Sequence, residues 1–402
     1  MNTGDTAWVL IATALVMLMT PAGLALFYGG LSNKKNVMNT VGMSYVAFCT
    51  ATLAWVIAGY SIAFGPNGHP VFGSLERIFL KNISISQLVG TIPELAFVAF
   101  QGVFAAIAVA IICGSVVGRF KFSSWIVFST LWVLFVYAPL VRLVWGDGLL
   151  NNLEELDFAG GTVIHVNAGV AGLVLALLLG KRKKKTIHTT NPSSIKLTIL
   201  GSALLWFGWF GFNAGSQLAA DGIAANALLV TNVAACTGAL AWMIFEWSKK
   251  QKPTILGLAS GAISGLVGIT PAAGYVGMEG ALIIGLFSGI IGYYSVVYLK
   301  KALNYDDTLD AFGIHGVVGI WGSLATGLFA DPSINGAAGL FYGNPHQLLP
   351  QVIAVIITIV FSLVGTFVLY KITGLLTRGT RVDEAMEIKG IDAAYHNEKS
   401  FS

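Results

Sequence analysis

An imidazole can take up or release a proton near neutral pH, accept or donate a hydrogen bond while neutral, or bind a metal. Two imidazoles stand inside apolar stretches of this chain. One closes the run Asp157-Phe158-Ala159-Gly160-Gly161-Thr162-Val163-Ile164-His165. The other closes Asp310-Ala311-Phe312-Gly313-Ile314-His315. Each is followed by glycine at +4 and +7: Gly169 and Gly172 after His165, Gly319 and Gly322 after His315. A titratable group in lipid-spanning sequence is costly and is a functional candidate by default. Two that match each other suggest one site assembled from two repeats. The plainer reading of either one is a packing residue with a satisfied hydrogen bond. Two histidines could also begin a metal or haem site. No convergent carboxylate or thiolate completes a ligand set, and so many glycines suggest tight helix contact rather than a wide cleft.

The elements that must position this pair are membrane helices. The chain has 402 residues, 55% hydrophobic and 10% charged, against about 25% charged in a soluble domain. Cys49, Cys113 and Cys236 all lie in apolar segments, an odd number that argues against a disulfide framework. The first apolar run lacks a basic leader and a cleavage site, and reads as a span rather than a signal peptide. Eleven segments are long enough to cross a bilayer, at roughly 7–31, 41–64, 95–117, 123–145, 159–180, 195–217, 223–247, 254–269, 278–299, 309–330 and 349–375. The eighth is short and rich in glycine. One set of loops carries Lys34, Lys35, Arg119, Lys121, the basic run 181–185, Lys249, Lys250, Lys252, Lys300 and Lys301; the alternate set carries Arg77 and Lys81. Because basic loops stay inside, the N-terminus is expected outside and a tail from 376 to 402 in the cytoplasm. The expected architecture is an all-α polytopic membrane protein with a transmembrane domain over 1–375. Five spans (about 7–180) and five more (about 195–330) form an inverted repeat, and one extra helix follows (about 349–375). His165 and His315 then occupy equivalent places in the fifth and tenth spans. If each span starts at its own membrane surface, the two rings lie roughly 15 Å apart in depth.

Several spans interleave aromatic rings with amides and hydroxyls: Phe27-Tyr28-Gly29-Gly30, Phe100-Gln101-Gly102-Val103-Phe104, Trp145, and the run from Trp206 to Ser216. Rings of this kind are commonly interfacial anchors or packing. They could also form an external vestibule in which Trp and Phe faces attract a small cation, Ser216 accepts its hydrogen bond, and phenyl rings close a constriction below. Asp157 and Asp310 open the two histidine segments and suit helix capping. Asp157 could in addition support an outer cation site. Glycines spaced by four, as at Gly257, Gly261 and Gly265 or at Gly285 and Gly289, predict close helix packing. His69, His188, His346 and His396 fall in loops or tail and are expected to be solvated.

The chain resembles the ammonium transporter family (Amt/MEP/Rh), in its Amt branch, over about residues 7–395. The resemblance is carried by Asp157 through Gly161 leading to His165, by Trp206 through Ser216, and by Asp310 through Gly316. The segment Arg381 to Asp392 is similar to the family's regulatory tail, whereas the last six residues, Asn397 to Ser402, depart from it. The resemblance implies eleven spans, a homotrimer, and one narrow pore per subunit carrying ammonium or ammonia across a cell membrane. It implies an external ammonium site at Trp145, Phe104 and Ser216 supported by Asp157, a gate of Phe104 over Phe212, and a pore lined by His165 and His315. It also implies docking of a PII-type signal protein at the cytoplasmic face.

On that basis ammonium sheds its water against the aromatic rings, loses a proton, and crosses as ammonia past two neutral, hydrogen-bonded imidazoles, with the proton returning, crossing separately or travelling along the pair. Carrying a full charge into hydrocarbon would be far costlier, and potassium, which has no proton to lose, is excluded. The alternative is a sensor that uses the same fold to report ammonium through a cytoplasmic partner. An intramembrane enzyme is disfavoured, since no nucleophile, metal set or cofactor loop is present. No cofactor and no nucleic-acid partner is expected, while the basic face suits anionic lipid.

Overall fold

Bilayer hydrocarbon offers no partner to a free N–H or C=O, so an apolar chain of this length satisfies its backbone within helices. The computed structural model describes residues 1–183, 191–250 and 252–400. Lys184, Lys185, His188, Phe401 and Ser402 lie outside the described residues, as does the side chain of Lys250. Ten of the described helices are long and apolar enough to cross a membrane. They are α1 (Thr3–Leu31), α2 (Val37–Phe64), α3 (Glu94–Val116), α4 (Phe122–Trp145), α5 (Gly161–Leu179), α6 (Ile195–Gly215), α7 (Gly222–Lys249), α9 (Met278–Ala302), α10 (Phe312–Phe329) and α11 (Pro345–Leu376). The glycine-rich eighth segment forms a shorter apolar helix, α8 (Ile255–Ile269). A last short helix, α12 (Glu384–Lys389), lies in the tail. In both α3 and α5, 83% of the most apolar stretch is buried, against 33% in α11. The first two are therefore central and α11 is peripheral.

Glycine sets the approach distances. A Cβ on Gly261 of α8 would lie 2.6 Å from the Gly238 carbonyl of α7, and one on Gly285 of α9 would lie 2.5 Å from the Ala234 carbonyl. The small-residue spacing in α8 and α9 thus clamps one stretch of α7 from two sides, as close packing in membranes favours.

The most consequential crossing is between α5 and α10. A Cβ on Gly169 would overlap the Gly316 backbone, and one on Gly319 would lie 3.0 Å from the His165 Cβ and 3.1 Å from the Val166 nitrogen. His165 thus faces Gly319 while Gly169 faces Gly316, so the helices run antiparallel and cross at their first turns. From that crossing each helix runs about 18 Å outward in the opposite direction. The 15 Å separation expected from span starts at the two surfaces is therefore wrong. Each helix begins near the middle of the bundle, and the glycine four residues after each histidine is what permits the contact. Gly169→Ala is expected to force the crossing open, costing about 1–3 kcal/mol. A fall in detergent melting temperature together with reduced transport would register it.

Loops gather on two opposite faces. On one, the Asn2 N–H donates to the Thr91 carbonyl (2.8 Å), Asp5 accepts from the Thr91 hydroxyl and the Ala220 N–H, and the Gln347 amide donates to the Glu154 carbonyl. On the other, buried Arg119 donates to the carbonyls of Ser115, Gly180 and Asp306, each at 2.6 Å. Arg182 pairs there with Asp306. Burial raises the Asp306 pKa, but hydrogen bonds from Arg182 and the charge of Arg119 hold it down to about 2. The tail joins this second face. The Asp392 carboxylate accepts the N–H groups of Met38 and Asn39 at the start of α2, and Arg381 donates to the carbonyls of Leu179 and Lys181 and pairs with Glu387. His396, expected to be solvated, is half-buried there against the Phe122 ring and 3.1 Å from the Asn39 amide oxygen. His69 and His346 are exposed as expected.

Candidate functional site

Residues four apart on a helix share a face, and this rule builds the site. Phe100 and Phe104 stack down α3, while Trp209, Phe212 and Ser216 line one stripe of α6. The stripes meet. Phe104 lies on Phe212 with ring centroids 4.4 Å apart and planes 34° apart, and Trp145, at the end of α4, stands edge-on to Phe104 at 6.3 Å. Ser216 donates its proton to the Phe212 carbonyl (2.8 Å), which leaves the hydroxyl oxygen's lone pairs as acceptors. Trp145 and Ser216 are half-buried, and Phe104 and Phe212 are fully buried.

Beneath the phenyl pair the column continues with the histidines. His165 stacks at 22° on both Phe212 (5.9 Å) and Trp209 (5.5 Å). Its Nδ1 lies 3.2 Å from the Nδ1 of His315, with ring centroids 5.3 Å apart. A nitrogen-to-nitrogen contact of that length requires one ring to donate and the other to accept, so the two neutral imidazoles hold opposite tautomers. Both rings are buried, and His165 Nε2 has no protein partner. The rings line a narrow cavity walled by Trp209, Phe212 and aliphatic side chains that include Ile107, Ile111, Leu205 and Ile263. Its free space for the centre of a water-sized molecule is about 10 Å³, about the room one such molecule needs.

Both histidines sit in π-helical first turns, Gly161–Val166 and Phe312–Val317. Such turns recur at functional sites because they displace side chains from the regular helical stripe. The Asp157 carboxylate caps the first of them. It accepts the N–H groups of Gly160 (2.8 Å), Gly161 (2.6 Å), Thr162 (2.9 Å) and Val163 (3.3 Å) and the Thr162 hydroxyl (2.6 Å). Its carbonyl accepts the Trp145 indole N–H at 2.8 Å. One residue therefore fixes both the start of α5 and the tryptophan. From α11, Gln351 braces the same loop by accepting the Leu156 N–H and donating to the Leu156 carbonyl.

The second acid behaves differently. Asp310, expected to cap α10, instead pairs with Lys300 at 2.6 Å in a left-handed backbone conformation (φ 62°). The capping is done by Asp307, which accepts the Phe312 N–H at 2.7 Å. The positive φ turns the Asp310 side chain away from the helix start, and the acid three residues earlier takes its place.

The family model described as Ammonium Transporter Family matches residues 7–401. The chain belongs to the Ammonium Transporter Family. Within this family it is 48% identical to an ammonium transporter of Aquifex aeolicus over 403 residues, covering 100% of this chain and 94% of that one. It is 43% identical to the ammonium transporter Amt1 of Archaeoglobus fulgidus, with complete coverage of both chains. Among solved structures, Mep2 of Saccharomyces cerevisiae superposes with a TM-score of 0.87 at 35% identity, covering 95% of this chain and 91% of that one. A structure described as a sensor Amt protein superposes at 0.89 with 27% identity, covering 98% of each chain. The chain is thus a multi-pass membrane protein of the ammonium transporter family.

The sequence-derived candidates Phe104, Trp145, Phe212, His165 and His315 form one continuous column, with Ser216 hydrogen-bonded to the backbone of Phe212 and Asp157 beside them as a scaffold. Sequence reasoning passed over Trp209 as a member of that column, although its place three residues before Phe212 on the same helical stripe was the available signal. It also passed over Thr162 inside the first motif, and over Glu155 and Asp307, which stand just before the two motifs and bond Thr162 and Phe312 within them.

Proposed function

We propose that this chain conducts ammonium nitrogen through the Phe104–Phe212–His165–His315 column. Ammonium is recruited at Trp145, Phe104 and Ser216, gives up a proton, and passes the phenyl gate and the histidine pair as ammonia, while the proton either returns outside or crosses by a separate transfer. The observation that carries this reading is the 3.2 Å imidazole contact in a cavity with room for one water-sized molecule, directly beneath stacked phenyl rings. The Ser216 lone pairs and the flanking aromatic faces suit a small cation that donates hydrogen bonds. The unpartnered His165 Nε2 gives a molecule in the cavity a hydrogen-bonding group without charge.

The wider architecture belongs to the same reading. With α8 counted as a crossing there are eleven spans, which places the N-terminus outside and the tail in the cytoplasm. The support is that Asn2 and the tail meet loops of opposite faces, which requires an odd number of crossings, and that the basic loops cluster with the tail. The inverted repeat over about 7–180 and 195–330 is supported by the antiparallel crossing of α5 and α10, the fifth helix of each half, in which Gly169 packs on Gly316 and Gly319 on His165. The transmembrane domain then ends near 375 and the cytoplasmic tail occupies 376–402. A homotrimer, with a PII-type protein docking at the tail face, completes the assignment.

A second reading, in which the chain reports ammonium to a cytoplasmic partner, is favoured by the docking of the tail on the start of α2 and the end of α5 and by the likeness to a sensor Amt protein. Ammonium-dependent currents in proteoliposomes separate the two. Transport predicts saturable uptake with no response to potassium, read as a change of internal pH whichever route the proton takes and as a current where the proton also crosses, and absence of both from correctly folded protein sinks the transport reading. In that assay Ser216→Ala is expected to raise the half-saturating ammonium concentration by about tenfold, the worth of one hydrogen bond to a charged group. The maximal current changes less, since the gate and histidines are untouched.

A further inference from the structure

Glu155 is an acid with no assigned role, and its surroundings are specific. It is 8% exposed, one carboxylate oxygen (Oε2) has no partner, and the other (Oε1) lies 2.8 Å from the Thr162 hydroxyl. The same hydroxyl lies 2.6 Å from the Asp157 carboxylate. A hydroxyl has one proton and can donate to only one of two carboxylates. The second carboxyl can bond the hydroxyl only by bringing a proton of its own. Asp157 has no need of that proton, because four backbone N–H groups already converge on it. Glu155 receives no such donors.

We propose that Glu155 is a proton-holding site, a carboxylic acid that donates to the Thr162 hydroxyl, which donates in turn to the Asp157 carboxylate. The pair shares one proton and one negative charge. Transfer is balanced within the three residues: the Glu155 proton moves to Thr162 Oγ as the Thr162 proton moves to Asp157, leaving Glu155 ionised and Asp157 neutral. Asp157 anchors Trp145, so the charge beside the outer site depends on where this proton sits. Burial, followed by the charge of Asp157, pushes the Glu155 pKa well above the usual carboxylate range, which agrees with the geometry. The other titratable groups coupled to the pair are Tyr275, which feels both acids, and Tyr137, which feels Asp157; neither carries a charge near neutral pH. The sign follows from the raised pKa. The fold favours the acid form, and the stability it contributes, full below the ordinary glutamate pKa, is lost progressively as pH rises from there through the raised folded-state value.

The effect on flux rests on the proposed role of Asp157 at the ammonium site; the held proton does not. Infrared spectra of the reconstituted protein, with and without isotope-labelled glutamate, are expected to contain a carboxylic-acid carbonyl band at neutral pH that is lost in Glu155→Gln. Absence of any such band overturns the proposal. In the second arm, ammonium current is followed against pH at fixed ammonium concentration. Wild-type current at subsaturating ammonium is expected to rise on the alkaline side, because ionising Glu155 adds negative charge beside the cation site, while Glu155→Gln, whose amide still donates to Thr162 but does not titrate, stays level. Thr162→Val, which removes the hydroxyl that takes the Glu155 proton, is expected to shift or abolish the acid band. It also guards against misfolding in the glutamate variant, since a folded Thr162→Val protein with an unshifted band overturns the proposal independently. A band lost in Glu155→Gln together with identical pH profiles supports the held proton and instead sinks the assignment of Asp157 to the transport site.

Discussion

Replacing His165 by alanine is expected to lower ammonium current about tenfold or more and to admit potassium, the largest functional change predicted for a single side chain here. The argument has two parts. First, the substitution removes the partner of His315 Nδ1, and a buried polar group left without its partner costs about 1–3 kcal/mol, of which 1.4 kcal/mol is a factor of ten. Second, His165 stacks on Phe212 and Trp209, so its ring also fills the column under the phenyl gate. Without it the cavity grows from space for one small molecule toward space for a short file of water, and a water file lowers the cost of passing an ion that cannot shed a proton. His315→Ala is expected to act in the same direction. Because the rings are in direct contact, the double variant should cost less than the sum of the singles. Unchanged current through His165→Ala, with potassium still excluded, would remove the pair from the mechanism.

The positions that were legible in the sequence are those set by helical geometry. Phe100 with Phe104, and Phe212 with Ser216, are four residues apart and fall on shared faces. The glycines at +4 after each histidine announced close contact, and the reciprocal packing of Gly169 on Gly316 and Gly319 on His165 shows what they contact. The depth of the histidines was illegible for a definite reason. Hydropathy marks where apolar sequence begins, whereas the helices begin only after capped, irregular segments that enter the bundle. Such backbone is tolerated at that depth because its N–H groups are satisfied by Asp157 and Asp307. The cap of α10 was misread because Asp310 stands closest to the helix, and its backbone turn is not encoded in any spacing. Glu155 offered no signal beyond being an acid in a loop, since its meaning depends on one hydroxyl seven residues away.

Asp157→Ala is expected to be the most destabilising substitution in the column's vicinity, by on the order of 3–5 kcal/mol. The carboxylate satisfies four backbone N–H groups and a hydroxyl among buried residues. Alanine leaves those donors together inside an apolar bundle, where each unsatisfied group costs about 1–3 kcal/mol before any relaxation or water entry. The loss spreads along the chain. The start of α5 is where His165 meets His315, and the Asp157 carbonyl anchors the Trp145 indole, so a relaxed loop displaces both ends of the column at once. Asparagine is expected to be nearly as damaging, because its amide turns two donors toward a nest that already consists of donors. Melting temperature in detergent and ammonium current should therefore fall together in Asp157→Ala, whereas Ser216→Ala should change the current while leaving the melting temperature within a few degrees. A stable, well-folded Asp157→Ala protein with full current would mean that the amide cradle closes on itself, and the acid would lose its place as the scaffold of the site.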